Sequence, residues 1–485
     1  MKAAVSGFYR SRKDKICANI IDYGILGLLI LSPLPAASVN EWSVLAIQLV
    51  VFVMAAAYIL MGEKPRSNEY LSRASRWSRY FFLGFFVFLL IQILPLPKFL
   101  VQIFSPSAYN FQEHYSADPG SLKFISLSII PAYTFQKAGE LLAYFLLAFI
   151  IFKSVTKRYQ IFRILKVLIA MGVFEAFYGL FELYSKSPRI LFYKKVYGID
   201  SVSGTFVNRN HFSGYLEMII PLAVGLIIAR IDFFSFTGLP WREKILRFSE
   251  SGLAKNLLVF CGTVLMGIAI VFSKSRSGVF ILFFTFILFI GLTTLFFDIY
   301  SFRKKWVKNY LKVAILLIIF ISLYSGIDAM LQRFSLDKLL QDGRPRFWAW
   351  TMRTFSDYPL FGTGLGTFGA LYPVIEGETG PLGLFHAHND YLEYLSELGL
   401  IGFGLLFGLI FYLATASFLT WSVRRHPEVK GLALGGIVSL ISMFIHSFTD
   451  FNLHIPANMV LFSVVLSLTM VIAYYKRGDT PFERK

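Results

Sequence analysis

The sequence predicts an all-α polytopic membrane protein with about 12 transmembrane helices and a large periplasmic loop that contains short helices. The 485 residues are 56% hydrophobic and only 16% charged, which is far more apolar than a soluble chain of this length. Many apolar stretches reach the roughly 20 residues that cross a bilayer as a helix. The strict alternation of polar and apolar residues that marks an outer-membrane barrel is missing from the sequence.

The apolar runs give the order of the predicted spans, with boundary errors of several residues. The first run follows a basic segment and resembles a signal sequence, but no small-residue cleavage pattern comes after it. We therefore expect a retained first helix rather than a cleaved leader. The predicted spans cover roughly residues 20–37, 43–61, 80–97, 132–152, 161–183, 211–229, 256–272, 278–298, 312–328, 391–420, 431–448 and 457–475.

The net charge of +18 is distributed in a way that indicates membrane orientation. If the amino terminus is cytoplasmic, most of the 47 lysines and arginines fall in cytoplasmic segments, which is the positive-inside pattern. The sequence therefore predicts a multi-pass inner-membrane protein with both termini in the cytoplasm. The basic excess adds attraction to anionic membrane lipid, and no nucleic-acid partner is expected.

Hydropathy and motifs divide the chain into three regions. Residues 1–200 are predicted amino-terminal transmembrane helices, residues 201–405 hold the candidate functional residues, and residues 406–485 are predicted carboxyl-terminal transmembrane helices. The two cysteines, Cys17 and Cys261, lie far apart and indicate neither a disulfide framework nor a metal–thiolate site.

Three predicted outer stretches are too long to be simple turns: about 98–131, 184–210 and 329–390. Long ordered loops usually carry function. The last stretch suits an anionic and partly apolar ligand at the membrane surface; alternatively, its aromatic residues form an interfacial belt and its arginines meet lipid phosphates. It combines basic and aromatic residues: Arg333, Arg344, Arg346, Arg353, His386 and His388 with Phe347, Trp348, Trp350 and Tyr358.

Residues 386–393, His-Ala-His-Asn-Asp-Tyr-Leu-Glu, lead directly into an apolar segment. Asp390 and Glu393 have the spacing of a capping box with Asp390 as the N-cap. His388 then precedes a helix amino terminus, where unpaired amides and the helix dipole favour an anion. A neutral imidazole can accept a proton from a hydroxyl, so this arrangement is typical of glycosyl transfer from a diphosphate donor.

Two alternatives remain for these histidines. His388 is equally well explained as an interfacial histidine hydrogen-bonded to a loop carbonyl. A weaker hypothesis makes His386, His388 and Asp390 metal ligands, because extended residues at i, i+2 and i+4 share a face. We expect neither a metal ion nor another cofactor.

The remaining motifs are individually less specific. Residues 364–369 match the dinucleotide pattern GxGxxG without a strand–helix–strand unit, so we expect tight turns close to a ligand instead. Arg276, in a short outer turn, faces a polar cavity or a phosphate, or else extends to lipid headgroups. Asn208 and Asn210 begin a span and either bind sugar hydroxyls or cap the helix. A structural hydrogen-bond network is expected for a carboxyl-terminal cluster: His446, Asp450 and His454.

Together these residues resemble the bacterial O-antigen ligase and polymerase superfamily, which includes protein O-oligosaccharyltransferases. The family signature is His, then Asn, Ser or Gln, then nine residues, then Gly-x-x-Gly; here it begins at His388 and Asn389 and ends with Gly399 and Gly402. Three further segments resemble the family's G-x-F-x-N-x-N motif, its Ser-Arg-x-Gly turn and its large periplasmic loop: 204–210, 275–278 and 343–364.

The resemblance implies metal-independent transfer, with inversion, of an undecaprenyl-diphosphate-linked glycan to an acceptor hydroxyl on the periplasmic face. His388 would be the general base, and Arg276 and Arg344 would bind the diphosphate. Arg346 assists or replaces Arg344, because the alignment is open by two positions. Glycan contacts are expected from three asparagines: Asn208, Asn210 and Asn389.

The acceptor remains open among the lipid A core, a growing glycan and a protein. We rank a ligase first, and an O-antigen or exopolysaccharide polymerase or a protein O-oligosaccharyltransferase after it. A rival from another class is a lipid or glycan transporter, whose polar residues would lie at mid-membrane. The notable polar residues here lie at predicted outer helix ends, which favours surface chemistry.

Overall fold

The computed structural model describes residues 11–62, 69–116, 118, 123–185, 189–195, 198–230, 253–297, 302–324, 343–376 and 385–475. Sixteen α-helices account for most of these residues: α1 Arg12–Leu31, α2 Glu41–Leu60, α3 Glu69–Ile93, α4 Lys98–Phe104, α5 Pro106–Tyr115, α6 Pro131–Ser154, α7 Arg158–Ser185, α8 Arg209–Arg230, α9 Leu253–Phe272, α10 Arg276–Phe296, α11 Phe302–Tyr324, α12 Arg344–Asp357, α13 Phe368–Glu376, α14 Asp390–Ser422, α15 Pro427–His446 and α16 Pro456–Tyr474. Two antiparallel pairs of short strands accompany them, β1 Leu96–Pro97 with β2 Phe124–Ile125 and β3 Arg189–Ile190 with β4 Tyr193–Lys194.

Nine helices in the described part of the chain have the length and apolar composition to cross a membrane: α2, α6, α7, α8, α9, α10, α14, α15 and α16. This finding confirms a polytopic helical membrane protein. The other three predicted spans coincide with α1, α3 and α11, whose first turns carry charged residues. The count of twelve and the orientation of the spans remain predictions. Short helices α12 and α13 occur in the described part of stretch 329–390; Arg333 lies outside the described residues.

Helices α8, α15 and α16 form the centre of the bundle. The most apolar windows of α8 and α16 are each 94% buried, and that of α15 is 83% buried. Glycines at the contact allow α8 and α15 to approach closely. A Cβ atom added at Gly225 would lie only 2.7 Å from the Gly431 carbonyl oxygen, so no larger residue fits there without movement. The start of α8, the end of α15 and the start of α16 meet at one end of this core.

The long helix α14 is broken at Gly399, which has φ 60° and ψ −174°. Loop 358–364 fills the break: the Leu400 amide donates to the Pro359 oxygen over 2.8 Å, and the Gly364 amide donates to the Glu397 oxygen over 2.9 Å. In a membrane protein, backbone amides and carbonyls freed by a helix break need hydrogen-bond partners from adjacent segments of the protein. The first turns of α14, which follow His388, are thereby fixed to this loop.

Gly399→Ala should destabilise the fold, whereas Gly404→Ala in the same helix should not. The backbone at Gly399 lies in a region populated almost only by glycine, which costs another residue about 1–3 kcal/mol. An added Cβ would also approach the Leu360 carbonyl carbon at 2.4 Å. At Gly404 nothing lies within 4 Å of the added atom, and helix propensity favours alanine by about 0.5–1 kcal/mol. Thermal unfolding in detergent measures the stability of the two variants. Equal losses of stability would contradict this explanation of the helix break.

Candidate active site

His388 lies between the preceding loop and α14, with φ 51°. The left-handed region costs a non-glycine residue about 1–3 kcal/mol, and residues held there cluster at active sites and ligand clamps. The His388 Nδ1 atom lies 3.1 Å from Asp450 Oδ1, and 27% of the side chain is exposed. The partner is therefore a carboxylate, and the alternative of a bond to a loop carbonyl is wrong for this nitrogen.

Asp450 is a fully buried carboxylate on which several polar side chains converge. Its Oδ1 atom lies 3.5 Å from His211 Nε2, in addition to His388. Its Oδ2 atom accepts hydrogen bonds from Asn210 Nδ2 at 2.5 Å and from Arg344 Nη2 at 3.4 Å. Burial alone would raise the pKa of Asp450, but the adjacent His211 and His388 rings outweigh burial and hold that pKa well below its ordinary value.

The ionised Asp450 carboxylate determines which ring nitrogen of His388 carries the proton. A carboxylate only accepts hydrogen bonds, so Nδ1 of His388 is the donor and Nε2 of the neutral ring keeps its lone pair. The same logic orients the histidine in other hydroxyl-activating sites. His388 is thereby prepared to accept a proton at Nε2.

Arg344 and Arg346 begin the same helix, α12, but have different surroundings. Arg344 is half-buried and contacts Asp450, whereas Arg346 is exposed. Residues two apart in an α-helix point about 200° away from each other. The geometry thus brings Arg344 to the Asp450 carboxylate.

Arg276 is the first residue of α10 and is half-buried. Its neighbour Ser275 caps the helix, and Ser277 Oγ lies 3.2 Å from His446 Nε2. The backbone oxygen of His446 accepts a hydrogen bond from the Asp450 amide over 3.1 Å. These contacts attach the start of α10 to the turn that carries Asp450.

The three asparagines occupy different positions. Asn208 Oδ1 accepts the Asn210 amide over 2.9 Å at the start of α8, and Asn389 Oδ1 accepts the Leu392 amide over 3.1 Å at the start of α14. Both therefore act as caps; the sequence offered this alternative for Asn208 but not for Asn389. Asn210 instead directs its side chain to Asp450.

The predicted capping box is wrong by one residue, because Asn389 rather than Asp390 is the N-cap of α14. Asp390 is drawn inward by the His454 ring, whose Nδ1 lies 2.8 Å from Asp390 Oδ1. Glu393 does not reach back to the cap: its Oε1 lies 2.7 Å from His386 Nδ1. The acidic pair therefore belongs to a second cluster instead of closing the helix end.

The proposed metal set of His386, His388 and Asp390 is not assembled by the structure. His388 contacts Asp450, while Asp390 pairs with His454. Burial alone would lower the pKa of His454, but the nearby Glu393 and Asp390 carboxylates outweigh burial and raise that pKa to about 9.

The glycine-rich segment 364–369 packs against its own chain. The Phe368 amide donates to Glu397 Oε1 over 3.0 Å, and Gly364 and Gly366 adopt positive φ. No strand–helix–strand unit surrounds the segment within the described ranges. The turns of segment 364–369 therefore pack this loop against α14.

Sequence reasoning missed the part played by Asp450 and His211. Asp450 was assigned to a structural network at the carboxyl end, 62 positions from His388. One signal was available: Asp450 lies two residues beyond a predicted span, and ionisable residues near membrane depth are commonly paired with one another.

Residues 261–407 match the family model described as O-antigen ligase. The match supports a relationship of this region to the O-antigen ligase superfamily. The matched stretch contains Arg276, Arg344 and His388, whereas Asn210 and Asp450 come from outside it. The match supports a membrane enzyme with O-antigen ligase-like glycosyl transfer as its general activity. No curated protein matches the chain significantly.

Asp450→Asn should lower kcat for glycosyl transfer by about 10²–10⁴, the range for a general base that has lost its function. The amide keeps the shape but no longer enforces the proton on Nδ1 of His388. Asp200→Asn, at a largely exposed carboxylate, is the matched control and should leave kcat unchanged.

A double-mutant cycle between Asp450→Asn and His388→Ala measures whether Asp450 acts through His388. We expect the double variant to be no slower than His388→Ala alone. Fully additive losses would show that Asp450 has an independent role.

Proposed function

We propose that this protein transfers a glycan from an undecaprenyl-diphosphate carrier to an acceptor hydroxyl, with inversion, on the periplasmic face of the bacterial inner membrane. The carrying observation is the contact of His388 Nδ1 with the buried Asp450, whose other oxygen contacts Arg344. A base and a cation thus meet at one carboxylate. The match of residues 261–407 to the O-antigen ligase family supports this chemistry.

In the proposed step, His388 Nε2 takes the proton of the acceptor hydroxyl. The acceptor oxygen forms a bond with the anomeric carbon, and the bond from that carbon to the diphosphate oxygen breaks. The lipid diphosphate leaves with the electron pair. Attack opposite the leaving group inverts the anomeric configuration.

Arg276 and Arg344 are proposed to bind the diphosphate and to stabilise the charge that builds on it. Guanidinium groups suit phosphate because they donate paired hydrogen bonds in a fixed plane. Fixed cations can supply this charge, so we propose that the chemical step needs no metal ion. Arg344 is preferred to Arg346 because of its contact with Asp450.

His388→Ala should reduce transfer by about 10²–10⁴ while leaving membrane insertion normal. The assay uses purified protein with a lipid-linked glycan and its acceptor. His426→Ala, at an exposed histidine before α15, is the control. Full activity of the His388 variant would exclude the proposed mechanism.

Arg344→Ala should lower kcat/KM for the lipid-linked donor by about 10²–10³, the usual effect of removing one donor to a developing oxyanion. Arg344→Lys should recover only part of that loss, since lysine lacks the planar fork. Arg353→Ala, at an exposed position of the same helix, is the control. A larger effect from Arg346→Ala would assign the diphosphate contact to Arg346.

The acceptor is best identified by deleting the gene and analysing surface glycans by gel and mass spectrometry. Unattached long chains would identify a ligase, our first choice, with the lipid A core as acceptor. Single repeats would identify a polymerase, and unmodified protein would identify an O-oligosaccharyltransferase.

A further inference from the structure

A second cluster of ionisable side chains lies beside His388 and is not used by the proposed transfer. Asp390, Glu393 and Glu397 follow one face of α14 at positions i, i+3 and i+7, and each is at most 2% exposed. Buried carboxylates are costly unless positive charge accompanies them. His386 and His454 approach this face from two other segments of the chain.

We propose that His386, Glu393 and His454 form a binding site for a divalent cation of the zinc class. One ligand atom from each of these residues lies within 4.8 Å of the other two. Two imidazoles and one carboxylate are a ligand set typical of Zn²⁺, which leaves one coordination position for water.

The surroundings of His454 support this assignment independently. Its Nδ1 atom is engaged by Asp390 at 2.8 Å, and a carboxylate on the far nitrogen is the usual partner of a metal-bound histidine. Its Nε2 atom is buried, makes no hydrogen bond within the described residues and lies 3.4 Å from Glu393 Oε1. A ring nitrogen oriented in this way is directed at the centre of the cluster.

Glu393 is held in position in the same manner. Its second oxygen, Oε2, accepts the Ala387 amide over 2.8 Å, which leaves Oε1 facing both histidines. The rings themselves are packed: His386 stacks on Phe451 with centroids 4.0 Å apart, and His454 stacks on Tyr394 at 4.3 Å. Small adjustments of fixed side chains, with release of the His454 Nε2 proton to solvent as the ion binds, would suffice for coordination.

A cation at this position would join three segments: the loop before α14, the first turn of α14 and the 3₁₀ turn Asn452–His454. His388 lies two residues after His386, and Asp450 lies four residues before His454. The ion would therefore strengthen the positions of the base and its carboxylate without contacting the reacting atoms. This structural role is compatible with a metal-independent chemical step.

Metal binding by the purified full-length protein tests the proposal and needs no glycan. The protein in detergent is stripped with a chelator, dialysed against Zn²⁺, passed through a desalting column and analysed by mass spectrometry for bound metal. We expect one equivalent of Zn²⁺ per chain and, with Co²⁺, visible absorption typical of tetrahedral coordination.

His386→Ala and Glu393→Gln should both abolish the bound equivalent. The His386 side chain is 31% exposed, so its removal should not prevent folding. Asp390→Asn should weaken the affinity by about 10–100-fold, as for other partners of a ligating histidine. His426→Ala, at the exposed histidine before α15, should bind as the unaltered protein does.

The proposal is overturned if the unaltered protein retains no more Zn²⁺ than His386→Ala does. It is also overturned if His426→Ala loses as much metal as the cluster variants. His388→Ala separates this site from the proposed function, because that variant should lose transfer yet bind one equivalent of Zn²⁺.

Discussion

The arrangement of this end of the bundle depends on one buried negative charge, the carboxylate of Asp450. A carboxylate removed from water is tolerated only when hydrogen-bond donors and positive charge surround it. Here the donors come from the start of α8, the start of α12 and the loop before α14. Satisfying this charge therefore brings together residues that are far apart in sequence, and the same contacts leave His388 with a defined proton position.

The family signature has a physical meaning in this fold. His388 supplies the ring directed at Asp450, Asn389 caps α14, and Gly399 creates the break into which loop 358–364 inserts. Gly402 packs directly against Phe88: a Cβ atom added at Gly402 would lie 2.4 Å from the Phe88 ring. The number of residues between the histidine and the glycines thus sets the length of a short helical segment that is fixed at both ends. The His388 ring, at one end, is therefore held in a defined position.

Hydropathy located the helices but not their limits. The predicted span 20–37 is helix α1, Arg12–Leu31, which begins within the basic segment because helical hydrogen bonding continues past the apolar residues. The pairing of His388 with Asp450 could not be predicted, since it joins positions 62 apart through the packing of α14 and α15. The capping prediction failed locally: Asn389 and Asp390 both suit an N-cap, and only His454, from another turn, decides between them.

Exposure and charge together select His388 as the base among the histidines around these carboxylates. His211 also approaches Asp450, but its side chain is only 5% exposed, so a substrate hydroxyl has no access to its ring. His386 is as accessible as His388, yet it contacts Glu393 and stacks on Phe451. Extended backbone would place these two rings on one face, but the left-handed backbone at His388 breaks the alternation, and the rings contact different carboxylates. This separation lets His386 stabilise the loop while His388 Nε2 makes no hydrogen bond within the described residues.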